Sequence, residues 1–155
     1  MINYDQILPN LYVGTYPETL KDIQELKDRH GVTAVLNLQT DEDLDERGID
    51  WLAMEESYRR LGIEVHRVPM RDFDPAHQRQ RLPEAVKVLE NLLASRHITY
   101  LHCNAGTGRS PLVAMAYLYW CRKMSREQAI KHVQERRYCA PYEDLLELSR
   151  KSGKY

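Results

Sequence analysis

Hydrophobic positions along this chain switch repeatedly between two periods. Short runs of β-branched and aliphatic residues, NLYVGT (10–15), VTAVLNL (32–38), IEVHRVPM (63–70) and ITYLHC (98–103), read as strands. The second is apolar without alternation, the mark of a strand covered on both faces. Between these runs lie stretches with apolar residues every three or four positions. In 17–30, Leu20, Ile23 and Leu26 share one face behind a Pro-Glu start, and Gly31 ends the helix. In 81–96, Leu82, Val86, Leu89 and Leu93 form a similar stripe. The stretch 109–123, RSPLVAMAYLYWCRK, is apolar around most of its circumference and predicts a buried helix. A helix over 125–137 opens on Ser125 with Gln128 at capping-box spacing, and a last one covers about 142–151 after Pro141. The acidic segment DEDLDERGID (41–50) reads as a loop. Strands alternating with helices predict an α/β fold in a single domain, 1–155, with a central, mostly parallel sheet and helices on both faces.

Composition narrows the function classes. A chain of 155 residues, 43% hydrophobic, can bury one core and leaves no room for a second domain. A net charge of -1 argues against a general nucleic-acid binder, which needs a basic excess to attract phosphate backbones. No apolar run approaches the roughly 20 residues that cross a bilayer, so no membrane association is expected. The opening MINYDQILPNLY has the build of neither a signal nor a transit peptide. The expectation is a cytoplasmic monomer, or a plastid protein whose transit peptide has been removed. Three cysteines, Cys103, Cys121 and Cys139, predict free thiols in a reducing compartment. Ten tyrosines and two tryptophans stand against one phenylalanine. Of these rings, Tyr117, Tyr119 and Trp120 fall on the apolar helix and are expected to pack, whereas Trp51, Tyr138 and Tyr142 remain open to a surface role.

The chemistry concentrates in HCNAGTGRS (102–110), where a strand ends and the buried helix begins. A nucleotide-binding P-loop needs a glycine where Cys103 stands and a lysine where Arg109 stands, so that pattern fails. An inert buried cysteine beside an ordinary turn leaves Gly106, Gly108 and the charged Arg109 at the head of an apolar helix unexplained. A thiolate phosphatase uses every residue. Asn104, Ala105, Gly106, Thr107 and Gly108 can aim successive N–H groups at one anion, reinforced by the positive end of the helix dipole. The same field favours Cys103 as a thiolate nucleophile, and Arg109 offers a planar fork for two phosphate oxygens. Ser110-Pro111 gives the helix a polar, preorganised start. Such chemistry also needs a general acid from another loop. The segment MRDFDPAHQRQRLP (70–83) supplies Asp72 and Asp74, between which spacing does not choose. The single Phe73 beside them is either a sugar contact or an anchor packed inward.

His102, Cys103, Ala105, Gly106, Gly108, Arg109 and Ser110 resemble the HCxAGxGRS signature of the dual-specificity phosphatases, in which cysteine and arginine are separated by five residues. ILPNLYVGT, GVTAVLNLQTDEDLDERGID, RDFDP, RLPEAV, AYLYW and ERRYCAP extend the resemblance to the plant and algal glucan phosphatases and to their relative laforin. That resemblance implies a phosphorylated glucan substrate, a phosphocysteine intermediate, and neither metal nor cofactor. It assigns the acid to Asp72, the glucan contact to Phe73 and assistance to the departing thiolate to Ser110. It also implies that glucan affinity resides in the catalytic domain, since 155 residues leave no room for a carbohydrate-binding module. Protein-directed and phosphoinositide-directed phosphatases are the alternatives, the latter disfavoured by the absence of lysine from the loop. A non-catalytic phosphate-binding module is disfavoured because thiol, arginine and acid are all present.

Overall fold

A computed structural model describes residues 2–151, with side chains to residue 147; residues 1 and 152–155 of the expected domain lie outside the described residues. Its sheet contains β1 (Tyr4–Leu8), β2 (Leu11–Gly14), β3 (Ala34–Asn37), β4 (Glu64–Arg67) and β5 (Thr99–His102), in the spatial order β1-β2-β5-β3-β4. The β1–β2 hairpin is antiparallel and the other three pairings are parallel. The sheet is therefore mostly parallel, as the alternation of elements predicts. The edge strand β1 carries little apolar patterning and is not foreseen from the sequence.

The helices are α1 (Leu20–His30), α2 (Asp41–Glu46), α3 (Trp51–Arg60), α4 (Pro75–Ala94), α5 (Arg109–Cys121), α6 (Arg126–Gln134) and α7 (Asp144–Lys151). Strand side chains alternate between two cores, as a period of two requires. Leu11, Val13, Ala34, Leu36 and Leu101 join Leu82, Val86 and Leu89 of α4 and Leu112–Leu118 of α5 on one face. Tyr12, Val35 and Tyr100 join Ile23 and Leu26 of α1 and Tyr58 of α3 on the other. Every residue of α5 from Arg109 to Leu118 is buried, which agrees with its all-round apolarity. Each large aliphatic side chain so buried contributes about 1.5–3 kcal/mol.

Two expectations need correction, and one helix is unassigned by the sequence pattern. The acidic segment is not a loop: Asp41–Glu46 is helical, because Thr40 and Asp43 close a reciprocal capping box around its first turn. The stretch after it forms α3, started by Asp50, whose carboxylate accepts the N–H of Ala53. Helix α4 begins at Pro75 rather than 81, with Asp74 as its N-cap, proline at the first position, and Pro83 accommodated inside the helix. The carbonyl opposite a proline ring loses its helical donor, and α4 runs on to Ala94 regardless.

Candidate active site

In parallel sheets ligands bind beyond the carboxyl ends of the strands. Here His102 at the end of β5 is level with Gly14 of β2 and Asn37 of β3, and Asn37 is level with Arg67 of β4. Three segments leave this edge side by side: the 103–108 loop into α5, residues 38–40 into α2, and residues 68–74 into α4.

The first loop is closed from behind. The Asn104 carbonyl accepts the N–H of Tyr16 at 3.1 Å, and that of Thr107 accepts the N–H of Ala140 at 2.8 Å. Arg137, buried at the end of α6, donates from Nη2 to the Ala105 carbonyl at 3.1 Å and from Nε to the Gly106 carbonyl at 2.6 Å. Its Nη1 is tied to Asn3 and Asp5 of the N-terminal hairpin region. With their carbonyls turned outward, the N–H groups of residues 104–108 donate to no protein acceptor among the described residues. This is the arrangement of an anion nest. Gly106 has φ of 71°, and a Cβ there would lie 2.6 Å from the Gly14 carbonyl group and 2.7 Å from Arg137 Nη2, so only glycine fits. Cys103 is buried at the start of this loop, with its Sγ 3.3 Å from Ser110 Oγ.

Arg109 is 1% exposed, so its charge needs a partner. Its Nη1 donates to Asp43 Oδ2 and to the Met70 carbonyl, both at 2.7 Å. Asp43 Oδ1 accepts from Asn104 Nδ2 at 3.0 Å, and Asn104 Oδ1 accepts from Gln39 Nε2 at 2.9 Å. Burial alone would push the Asp43 carboxyl up; hydrogen bonds from Arg109, the Thr40 N–H and Asn104, with the Arg109 charge, hold it below the ordinary carboxylate value. Nε and Nη2 of Arg109 form no hydrogen bond among the described residues, and Nη2 lies 3.3 Å from Asp72 Oδ2. Nη1 is thus fixed by protein while Nε and Nη2 keep their hydrogen-bonding capacity, as a fork for phosphate requires.

The structure separates the two acid candidates. Asp72 is brought to Arg109, whereas Asp74 caps α4 by accepting the His77 N–H at 3.0 Å. Phe73 between them is not packed inward: it has φ of 56° and is 84% exposed. Asp72, Phe73, Gln78, Gly108, Pro141 and Tyr142 line a cavity of about 150 Å³ against the loop. Tyr138 nearby in sequence is 85% exposed. As expected, Tyr117 is buried, while Tyr119 and Trp120 pack on the core and donate to Glu147 and the Leu146 carbonyl. Trp51 lies under Arg67, with the guanidinium carbon 5.1 Å from its ring centroid.

His102 supports the loop from below. Its Nδ1–H donates to the Cys103 carbonyl at 3.0 Å, and complete burial lowers its pKa to about 4, so the ring is neutral. Cys103, Cys121 and Cys139 are all free thiols, and burial raises the pKa of Cys121 to about 12. Asp43, Gln39 and Arg137 have no role in the sequence reading, and His102 enters it only as part of the signature. The Thr40–Asp43 capping spacing points to a structured turn, but nothing in the chain pairs residue 43 with 109 or 137 with 106.

The model of the dual specificity phosphatase catalytic domain matches residues 11–144. The amyloplastic phosphoglucan phosphatase DSP4 of Castanea sativa is 35% identical over 147 residues, covering 94% of this chain and 39% of that protein. Laforin of Mus musculus is 34% identical over 129 residues, covering 77% of this chain and again 39% of the relative. The chain therefore spans about two-fifths of the length of these curated relatives. The crystal structure of PTPMT1 superposes with a TM-score of 0.78, covering 96% of this chain and 92% of that one, at an identity of 21% that speaks for the fold alone. Among the described residues no helix is long and apolar enough to cross a membrane.

Proposed function

The chain belongs to the dual specificity phosphatase catalytic-domain family, and on that premise we propose that it removes phosphate from a phosphorylated glucan through Cys103. The observation that carries the chemistry is the convergence of Cys103, Arg109 and Asp72 from two loops on one cup. The Cys103 thiolate attacks phosphorus, the P–O bond to the sugar breaks, and Asp72 delivers its proton to the departing hydroxyl. Arg109 and the N–H groups of residues 104–108 hold the equatorial oxygens as charge builds. A phosphate in the cup also takes Arg109 Nη2 from Asp72. Asp72 then activates water against the phosphocysteine, and Ser110, 3.3 Å away, donates to the thiolate as it leaves.

Two features favour a glucan. Phe73 presents an exposed ring beside the acid in a backbone conformation that costs about 1 kcal/mol or more in a non-glycine residue. The cavity it borders holds no lysine or arginine, which suits a neutral sugar face better than a polyanionic headgroup. Relatives at 34–35% identity are named phosphoglucan phosphatase and laforin, which points the same way. All three thiols being free fits the cytoplasm, or a plastid such as the chestnut relative's name indicates.

The test is phosphate release from phosphorylated amylopectin, a phosphotyrosine peptide and a phosphoinositide, measured side by side. The glucan is expected to be preferred, and preference for either other substrate overturns the reading. Phe73→Ala should cost about tenfold on the glucan, the loss of one stacking contact of 1–1.5 kcal/mol, against little on a small aryl phosphate. Equal losses on both would remove the ring from the substrate site.

A further inference from the structure

The loop that carries Asp72 is held by two side chains that the reaction itself does not use. The backbone of Arg71 is gripped on both sides: its N–H donates to Nδ1 of His77 at 2.9 Å, and its carbonyl accepts Nε2 of Gln78 at 2.9 Å. The His77 N–H in turn donates to Asp74, so the first turn of α4 and the 71–74 turn lock each other. Gln78 is 2% exposed and lines the same cavity as Asp72, while Arg81 Nε holds the Pro69 carbonyl at 3.2 Å. Between these anchors sits Phe73 at φ of 56°. A side chain with a Cβ adopts that region only where its surroundings enforce it. Among the described residues only α4 holds the Arg71 backbone itself, because the other backbone ties, from the Met70 N–H to the Leu38 carbonyl and from Arg109 to the Met70 carbonyl, lie one residue earlier.

We propose that His77 and Gln78 are positioning residues for the general acid: they fix the peptide planes on either side of Arg71 so that Asp72 points at the cup and Phe73 outward. His77 must act as an acceptor, which requires the neutral ring with its proton on Nε2. An Asn at this position keeps an acceptor, Oδ1, where the ring places Nδ1. The inference rests on the reading of Asp72 as the acid.

Leaving-group dependence isolates the effect, since a poor leaving group needs the proton and a good one does not. Phenyl phosphate and dinitrophenyl phosphate are to be compared on single preparations of the wild type and of Asp72→Asn, His77→Ala, His77→Asn and Gln78→Met. Both rates come from the same folded protein, so their ratio is insensitive to partial unfolding. Asp72→Asn should raise the dinitrophenyl-to-phenyl ratio of kcat/KM, which reports the step that expels the leaving group, about a hundredfold, the lower range for a general acid. His77→Ala and Gln78→Met should raise it about tenfold, a partial loss of the same contribution, and His77→Asn should return it to near the wild-type value. A wild-type ratio in His77→Ala and Gln78→Met, or an unrescued rise in His77→Asn, overturns the positioning role. A flat ratio in Asp72→Asn itself overturns the assignment of the acid, and the inference with it.

Discussion

The two loops that face each other across the cup are secured by opposite means. Behind residues 104–107, every carbonyl accepts from a group that is remote in sequence or lies beyond α6: Tyr16, Arg137 and Ala140. Residues 71–74 hang from side chains of the helix that follows directly, His77 and Gln78, six and seven positions from Arg71, whereas Met70 before them is tied to Leu38 and Arg109. The first loop is a product of the whole tertiary structure. The second, from Arg71 onward, is a product of one helix N-terminus. The Cys103 loop, the proposed phosphate site, is therefore tied to global stability, while Asp72 and Phe73 are expected to shift without unfolding the domain.

The sharpest way to break this contrast is Gly106→Ala, which puts a methyl group against Gly14 and Arg137 at a backbone angle closed to alanine. Turnover should fall at least about a hundredfold, on good and poor leaving groups alike, because misplacement near 1 Å carries that cost. The melting temperature should fall with it, and wild-type values of both would show that the loop is not braced from behind.

A smaller effect is expected from Asp43→Asn, which leaves the buried Arg109 with a neutral partner. Loss of one charge-assisted bond predicts about 1.5–3 kcal/mol less stability in urea unfolding. Turnover should drop on both leaving groups. Unchanged unfolding would mean that the Met70 carbonyl suffices to hold the guanidinium.

Acid pH should act on the first loop through His102. The ring is neutral when folded, with a pKa near 4, and takes a proton near 6.5 when unfolded, so the unfolded chain binds more protons between these values. Its contribution is complete above pH 6.5 and is lost as pH falls toward 4. At most about 3 kcal/mol is at stake. Urea midpoints at two pH values on either side of this window should fall further for the wild type than for His102→Gln; parallel falls would exclude the histidine as the cause.

How far the sequence foretells this site depends on range. The 102–110 loop is legible because its cysteine, glycines and arginine are neighbours, and strand and helix signals bracket them. Asp72 and Asp74 look alike in sequence; only the seating of Pro75 at the first position of α4 makes Asp74 a cap and leaves Asp72 for the cup. The α2 segment hides its helix because DEDLDE offers a single apolar residue, Leu44, to set a period. Asp43 and Arg137 escape notice for a different reason. Their value comes from contacts 66 and 31 or 32 positions away, which local pattern does not encode.

Arg137 carries one more implication, for the order in which the molecule is assembled. Its Nη1 joins Asn3 and Asp5 across 134 and 132 positions, while its other nitrogens hold the carbonyls of Ala105 and Gly106. Contacts of such separation bear the largest closure entropy and tend to form late. The nest would then close only when both ends of the chain have docked on the middle, so that a nascent or half-folded polypeptide exposes a cysteine but not yet a phosphate trap. Recovery of activity during refolding would track the last phase of the reaction, behind the appearance of the sheet and of α5.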